Sequence, residues 1–211
     1  MNYYPVFLKL KGKKAVVVGG GKVAERKILS LIKASADITV ISPHLTGRLL
    51  KEKERKRIRH ISRSFRMNDL KGAFLVIAAT DSPEINSRVA KDAPALVNVV
   101  DVPSQCNFIA PSVVKRGALT LAISTSGISP ALSKAIRKEL ERLYGPEFSD
   151  YLNFVKKLRE KAMVGIKDKK KREKFLKGLA SEKILKTLRE KGFEGVEKIV
   201  KDFPAFLSVC N

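Results

Sequence analysis

The run Gly19-Gly20-Gly21-Lys22-Val23-Ala24 fits G-x-G-x-x-A and stands directly after a short β-branched apolar run, Lys14 to Val18. Where a strand turns into a helix, that pattern suits a phosphate. The first glycine permits a tight turn, the third position lacks a side chain so a pyrophosphate can approach the backbone, and a small last residue lets helix pack on strand. Free amides at the helix start, those of Lys22 and Val23 among them, then hold the anion. A glycine turn used only for packing is the alternative. Two carboxylates also follow apolar runs: Asp81 closes Ala79-Thr80-Asp81, and Asp101 closes Val99-Val100-Asp101. In open α/β sheets ligands bind outside the carboxyl ends of strands. Asp81 precedes Ser82-Pro83-Glu84 and is expected to cap the next helix. Asp101 precedes Val102-Pro103, has no helix to cap, and is the candidate general acid/base. A third stretch sets Ser124, Thr125, Ser126, Gly127 and Ser129 before Pro130. Ser129 and Pro130 read as helix cap and first turn, which leaves Ser124, Thr125 and Ser126 as donors for carboxylates.

Strands and helices in alternation must position these residues. Val23, Ala24, Ile28, Leu31 and Ile32 recur at helical spacing after the glycines, and Ile38 to Ser42 reads as a second buried strand ended by Pro43. Leu45 to Lys56 is expected to be helical. Ile58 to Phe65 alternates like a half-exposed strand, Phe74 to Ala79 and Ala95 to Val100 read as buried strands, and Glu84 to Ala93 as a helix. This predicts an α/β, Rossmann-type parallel sheet over residues 1–112. Beyond it, Val113 to Gly117 and Leu119 to Ser124 read as two strands leading to a helix from Ala131 to Leu143, a small α+β unit over 113–145. From Glu147 apolar residues recur at helical spacing among many lysines, with breaks near Gly165 to Asp168, Gly178 and Gly192, predicting a helical C-terminal domain over 146–211.

A dinucleotide site usually places Asp or Glu about 20 residues past the glycines, on the ribose hydroxyls. Here the second strand ends Ile41-Ser42-Pro43-His44. Ser42 remains as a hydroxyl for the ribose, while His44 or Arg48 would tolerate a 2′-phosphate, so NAD against NADP stays open. His60 sits in the alternating basic strand and reads as structural. Of 211 residues, 43 are Lys or Arg and 21 Asp or Glu, a formal charge of +22 that favours an anionic partner. No helix-turn-helix or aromatic-interleaved basic strand accompanies the charge, so nucleic acid is not the expected partner. No apolar run approaches the roughly 18–20 residues of a membrane span, and Met1 to Leu10 lacks the features of a signal peptide, so a cytoplasmic protein with no membrane contact is expected. Cys106 and Cys210 lie far apart, with only His44 and His60 as soft co-ligands. Neither a disulfide framework nor a protein-held metal is expected.

Five ordered motifs, Tyr4-Pro-Val-Phe7, Val17 to Lys27, Ala78 to Asp81 with Asn86, Val97 to Asp101, and Ser124 to Pro130, together resemble the precorrin-2 dehydrogenase family, the dehydrogenase/ferrochelatase module of sirohaem synthases. The resemblance implies NAD-dependent oxidation of precorrin-2 to sirohydrochlorin, with Asp101 as general base and, in some members, insertion of ferrous iron into the product. It implies a dinucleotide site at Gly19, Gly20, Gly21, Lys22, Val23, Ser42, Pro43, Ala79, Thr80, Asp81 and Val100, and a tetrapyrrole side at Asn107, Phe108, Ser124, Thr125, Ser126 and Gly127. It also implies a homodimer in which the middle unit exchanges contacts, with methylation left to another protein. A substrate bearing carboxylates suits the chain's positive charge. The rival class is a non-enzymatic NAD-sensing module with a basic helical tail, for which neither Asp101 nor the 124–129 hydroxyls have a use; a dehydrogenase of an unrelated small substrate is weaker against five motifs.

Overall fold

A computed structural model describes residues 3–203, so Cys210 and the end of the expected C-terminal domain lie outside the described residues. Five parallel strands, β1 (Lys14–Val18), β2 (Asp37–Ile41), β3 (Arg59–Ile61), β4 (Leu75–Ala78) and β5 (Leu96–Val99), form one sheet in the order β3-β2-β1-β4-β5. The expected Rossmann-type α/β sheet is present. Period-two alternation divides its core: Ala15, Val17 and Val40 pack on one face with Ala24, Ile28, Leu31 and Leu49, while Val16, Val18 and Val76 pack on the other with Val89. Helices α1 (Lys22–Lys33) and α2 (Gly47–Glu54) supply the first set of partners and α3 (Pro83–Asp92) the second. Strand order reverses between β1 and β4, which opens a crevice at their carboxyl ends.

β3 is shorter than the alternating segment predicts. The chain leaves the sheet at Arg63, whose amide donates to the Ile61 carbonyl at 2.9 Å and whose guanidinium grips Asp69 through bonds of 2.8 and 2.7 Å. Those bonds hold the Asp69 carboxyl below the usual carboxylate range.

The chain divides into two compact units after Ala110. In the second, β6 (Ser112–Arg116) and β7 (Leu119–Ile123) pair antiparallel, and α4 (Pro130–Leu143), α5 (Glu147–Gly165), α6 (Lys169–Gly178) and α7 (Glu182–Lys201) follow. Sequence patterning predicts a boundary near residue 145, yet Leu119 and Tyr144 pack into one core with Phe148, Tyr151, Leu188 and Val196. Arg116 reinforces this by donating to the Tyr144 carbonyl at 2.8 Å. The expected breaks at Gly165 and Gly178 end helices, and Gly192 (φ 66°, ψ −167°) kinks α7.

Candidate active site

Gly19 leaves β1 at φ 122°, and a Cβ there would fall 2.1 Å from the Ala79 carbonyl oxygen. At Gly20 a Cβ would fall 2.0 Å from the His44 carbonyl oxygen. The exit loops of the neighbouring strands therefore dictate the first two glycines. Gly21 differs, because nothing lies within 4 Å of the position its Cβ would take. It is the N-cap of α1, in extended conformation and with no side chain capping the helix. The first amides of α1 thus meet no protein acceptor from a capping side chain, in front of open space. That combination fits a pyrophosphate. Lys22 is exposed and Val23 half-buried in the same first turn.

The turn opens on a cleft of about 520 Å³ walled by the exits of β2 and β4. On the β2 side Pro43 and His44 are exposed, and buried Ser42 donates its hydroxyl hydrogen to the His44 carbonyl at 2.7 Å. Ser42 therefore offers a lone pair rather than a proton to a ribose hydroxyl. His60 braces the same turn, its Nε2 lying 2.8 Å from the Ser42 carbonyl oxygen, a structural role as expected. Thr46 ties the loop to the glycines, its amide donating to the Gly20 carbonyl at 3.1 Å and its hydroxyl to buried Glu25 at 2.5 Å. Of the two candidates for a 2′-phosphate, His44 lines the cleft. Arg48 lies instead in a groove between α1 and α2.

On the β4 side Ala79, Thr80 and Asp81 line the cleft. Asn86, buried on α3, fixes this loop by accepting from the Thr80 amide at 3.2 Å and donating to the Thr80 carbonyl at 3.0 Å. The helix cap is Ser82, which accepts from the Ile85 amide at 3.2 Å, and not Asp81 as its position suggests. Pro83 forces its predecessor into extended backbone, the N-cap conformation, so capping falls to Ser82. Asp81 is left exposed at the cleft.

Past β5 the Val100 amide donates to the Ala78 carbonyl at 3.0 Å, continuing the ladder, and Asp101 turns into the left-handed region at φ 60°. For a residue with a Cβ that conformation costs about 1–3 kcal/mol. The Cys106 thiol braces the turn: its sulfur accepts from the Val99 amide at 3.1 Å and lies 3.2 and 3.3 Å from the Val99 and Val102 carbonyl oxygens, to which the S–H donates. The exposed Asp101 carboxylate stands beyond this frame. Lys27, half-buried on α1, is close enough to feel it. Burial draws the Lys27 ammonium below the usual lysine range, with Arg26 acting the same way and Cys106 and Asp101 opposing.

Asn107 and Phe108, expected on the tetrapyrrole side, are bound into the fold. Asn107 accepts from the Val97 amide and donates to the Ala95 carbonyl, both at 2.7 Å, extending β5. Phe108 packs against the core that α1 and α2 share, and its carbonyl accepts from Asn98 at 3.1 Å. In the second unit Ser129 caps α4 as predicted, accepting from the Leu132 amide at 3.2 Å. Ser124 accepts from the Ser126 amide at 3.0 Å, and Thr125 donates to the Ser129 carbonyl at 3.0 Å. Ser126 (φ 54°) and Gly127 (φ 85°) lie exposed in left-handed conformations.

Residues 6–112 match a family of NAD(P)-binding domains, and residues 116–143 match the central domain of sirohaem biosynthesis proteins. The chain belongs to the sirohaem synthase family of NAD(P)-binding proteins. A sirohaem synthase of Methylobacillus flagellatus is 42% identical over 163 residues, covering 76% of this chain and 35% of that protein. One of Thioalkalivibrio sulfidiphilus is 36% identical over 208 residues, 95% of this chain and 42% of that protein. The chain thus spans about two-fifths of the length of curated sirohaem synthases it matches. Among solved structures, SirC, a precorrin-2 dehydrogenase, matches with a TM-score of 0.80 and 29% identity over 94% of this chain and 100% of that one.

Within this sirohaem synthase module, sequence reasoning passes over four residues that shape the cleft: Glu25, Lys27, Asn86 as a clamp, and Cys106. Glu25, Lys27 and Asn86 fall inside the family motifs, which is the one signal that marks them. Cys106 gives no signal, because its partners are backbone groups gathered by a turn.

Proposed function

We propose that this chain oxidises precorrin-2 to sirohydrochlorin with NAD, the dehydrogenase step of sirohaem synthesis. The observation that carries the reading is the pairing, at one edge of one sheet, of an open uncapped glycine turn with a carboxylate held in left-handed backbone at Asp101. Bound NAD supplies the hydride acceptor. Gly19 to Gly21 with the Lys22 and Val23 amides hold its pyrophosphate. Ser42, Pro43 and His44 border the adenosine ribose, and Ala79, Thr80, Asp81 and Val100 border the nicotinamide half. Asp101 takes the proton released from the reduced macrocycle, and the neighbouring Lys27 ammonium adds positive charge for the substrate carboxylates. Ser126 and Gly127 receive carboxylates of the tetrapyrrole, with Ser124 and Thr125 shaping their loop. Ferrous iron, where inserted, enters as a substrate whose ligands belong to the macrocycle, and Asp101 receives the pyrrole protons. The working form is a cytoplasmic homodimer, a reading supported by exposed apolar Val113, Ile128 and Leu132 on the hairpin and around α4.

Anaerobic incubation with precorrin-2 and NAD, followed by absorbance, tests the oxidation. Ferrous iron added afterwards, against a protein-free control, tests the chelation. Asp101→Ala is expected to lower turnover by about 10²–10⁴ while NAD affinity stays as in the parent. Undiminished turnover overturns the assignment of Asp101, and no NAD-dependent oxidation by the parent overturns the reading.

A further inference from the structure

On the outer flank of the first face, α1 and α2 enclose a groove of about 890 Å³ that shares no lining residue with the about 520 Å³ dinucleotide cleft. Helical periodicity turns Ala24, Ile28 and Leu31 inward and so places Arg26 and Lys33 outward, and buried Leu49 does the same for Arg48, Lys51 and Arg55 across the way. Leu29 and Ile32 of α1 supply apolar surface to the lining, and Arg57 joins it.

Six cations therefore meet a single carboxylate, Glu52. Glu52 is buried and already paired with the groove's own arginines: it is 5% exposed, its Oε1 accepts a bond of 2.9 Å from Arg57 Nη2 and lies 3.6 Å from Arg55 Nη1, and its Oε2 lies 2.6 Å from Arg57 Nε with no hydrogen bond among the described residues. Arg26, Lys33, Arg48 and Lys51 form no ion pair among the described residues. Arg48 to Lys51 and Lys51 to Arg55 are like-charge neighbours at helical spacing, an arrangement that destabilises the helix. A surface selected for solubility alone intersperses both signs. Like charges facing inward across a concave, partly apolar wall concentrate a positive field inside it.

We propose that this groove is a second binding site, for a small organic polyanion: an apolar body bearing several carboxylate or phosphate groups. Leu29 and Ile32 take the body. The guanidinium forks of Arg26 and Arg48 grip anionic groups from opposite walls, with Lys33 and Lys51 as point charges. The volume falls in the range of about 300–1,000 Å³ typical of small-molecule sites. A nucleic acid fits less well, because α2 is only about 12 Å long, a duplex is too wide for a groove between two packed helices, and among the described residues no aromatic side chain lines it to stack a base.

The test is calorimetric titration of the full chain, saturated with NAD, with mellitate (benzene hexacarboxylate) and separately with tripolyphosphate. Saturable one-to-one binding is expected, weakening as salt rises, and falling by about tenfold or more in Arg26→Glu/Lys51→Glu. Both residues are exposed, so NAD affinity and Tm are expected to match the parent. Where that reversal fails to fold, Arg26→Gln/Lys51→Gln replaces it, with the same direction of effect. Tighter mellitate identifies a polycarboxylate ligand with an apolar body, and tighter tripolyphosphate a phosphate ligand. Binding that survives the substitutions, absence of binding by either anion, or a duplex oligonucleotide as the sole anion captured overturns the proposal.

Discussion

The junctions β1–α1 and β7–α4 follow one local grammar, a strand, a loop of small residues and a helix start, yet they leave the helix amides in opposite states. At α1 the N-cap is Gly21, and among the described residues no side chain caps the helix. At α4 the Ser129 hydroxyl takes the Leu132 amide and Thr125 takes the Ser129 amide at 3.1 Å. A helix start recruits an anion when the protein leaves its amides unmet, and a hydroxyl-rich loop before a helix is as ready to satisfy itself as to bind a ligand. Of the hydroxyls at 124, 125, 126 and 129, Ser126 alone has no partner among the described residues.

The harshest way to break the comparison is Gly19→Ala. It sets a methyl group against the Ala79 carbonyl, 2.1 Å away, in backbone at φ 122° that disfavours any side chain. The expected cost is ~3 kcal/mol or more, from strain and overpacking together, with NAD binding lost as β1 and β4 are pushed apart. Denaturant melts with and without NAD measure both. An unchanged midpoint together with retained NAD affinity would mean that the close approach is not what requires the glycine.

Gly21→Asp is gentler on the fold and sharper on function. Nothing lies within 4 Å of a Cβ at Gly21, and its extended backbone already has N-cap form. A carboxylate there caps α1 and opposes the helix dipole favourably, so the folded state is expected to gain ~0.5 kcal/mol. The same carboxylate occupies the phosphate position with the wrong charge, and NAD affinity is expected to fall by more than about a hundredfold. Titration of NAD against a thermal melt of the same sample separates the two effects, which Gly19→Ala fuses. A variant that is both more stable and still binds NAD places the pyrophosphate elsewhere.

Much of this arrangement is legible before the structure. The run Lys14 to Val18 announces a strand, and the Ala24, Ile28, Leu31 stripe announces the helix that follows it, because both periodicities are set by covalent geometry. The glycine turn is legible for the same reason. What escapes depends on contacts distant in sequence. Leu119 and Tyr144 look like parts of a separate small unit until they are seen in one core with Phe148 and Leu188. Asp81 looks like a cap until Pro83 moves that task to Ser82. Asn86 and Cys106 act on backbone groups of Thr80, Val99 and Val102, and backbone groups carry no residue signature. Asn107 reads as a substrate ligand until both ends of its amide are found on β5.

The smallest expected effect belongs to the second junction. Ser129→Ala removes the hydroxyl that takes the Leu132 amide while leaving Pro130 to start α4, and a loss of about 1 kcal/mol is expected. Ser129→Gly keeps a permitted N-cap and costs only a few tenths of a kcal/mol, while it uncovers the Leu132 amide and gives this helix start the open form that Gly21 gives α1. If an uncapped start is sufficient for anion recruitment, Ser129→Gly acquires measurable phosphate binding. If it does not, recruitment at β1–α1 depends on the flanking loops as well, where the exits of β2 and β4 close around Gly20 and Gly19. The second outcome is the expected one, since among the described residues the hairpin at β7 has no neighbouring parallel strand to bring a wall to its helix start.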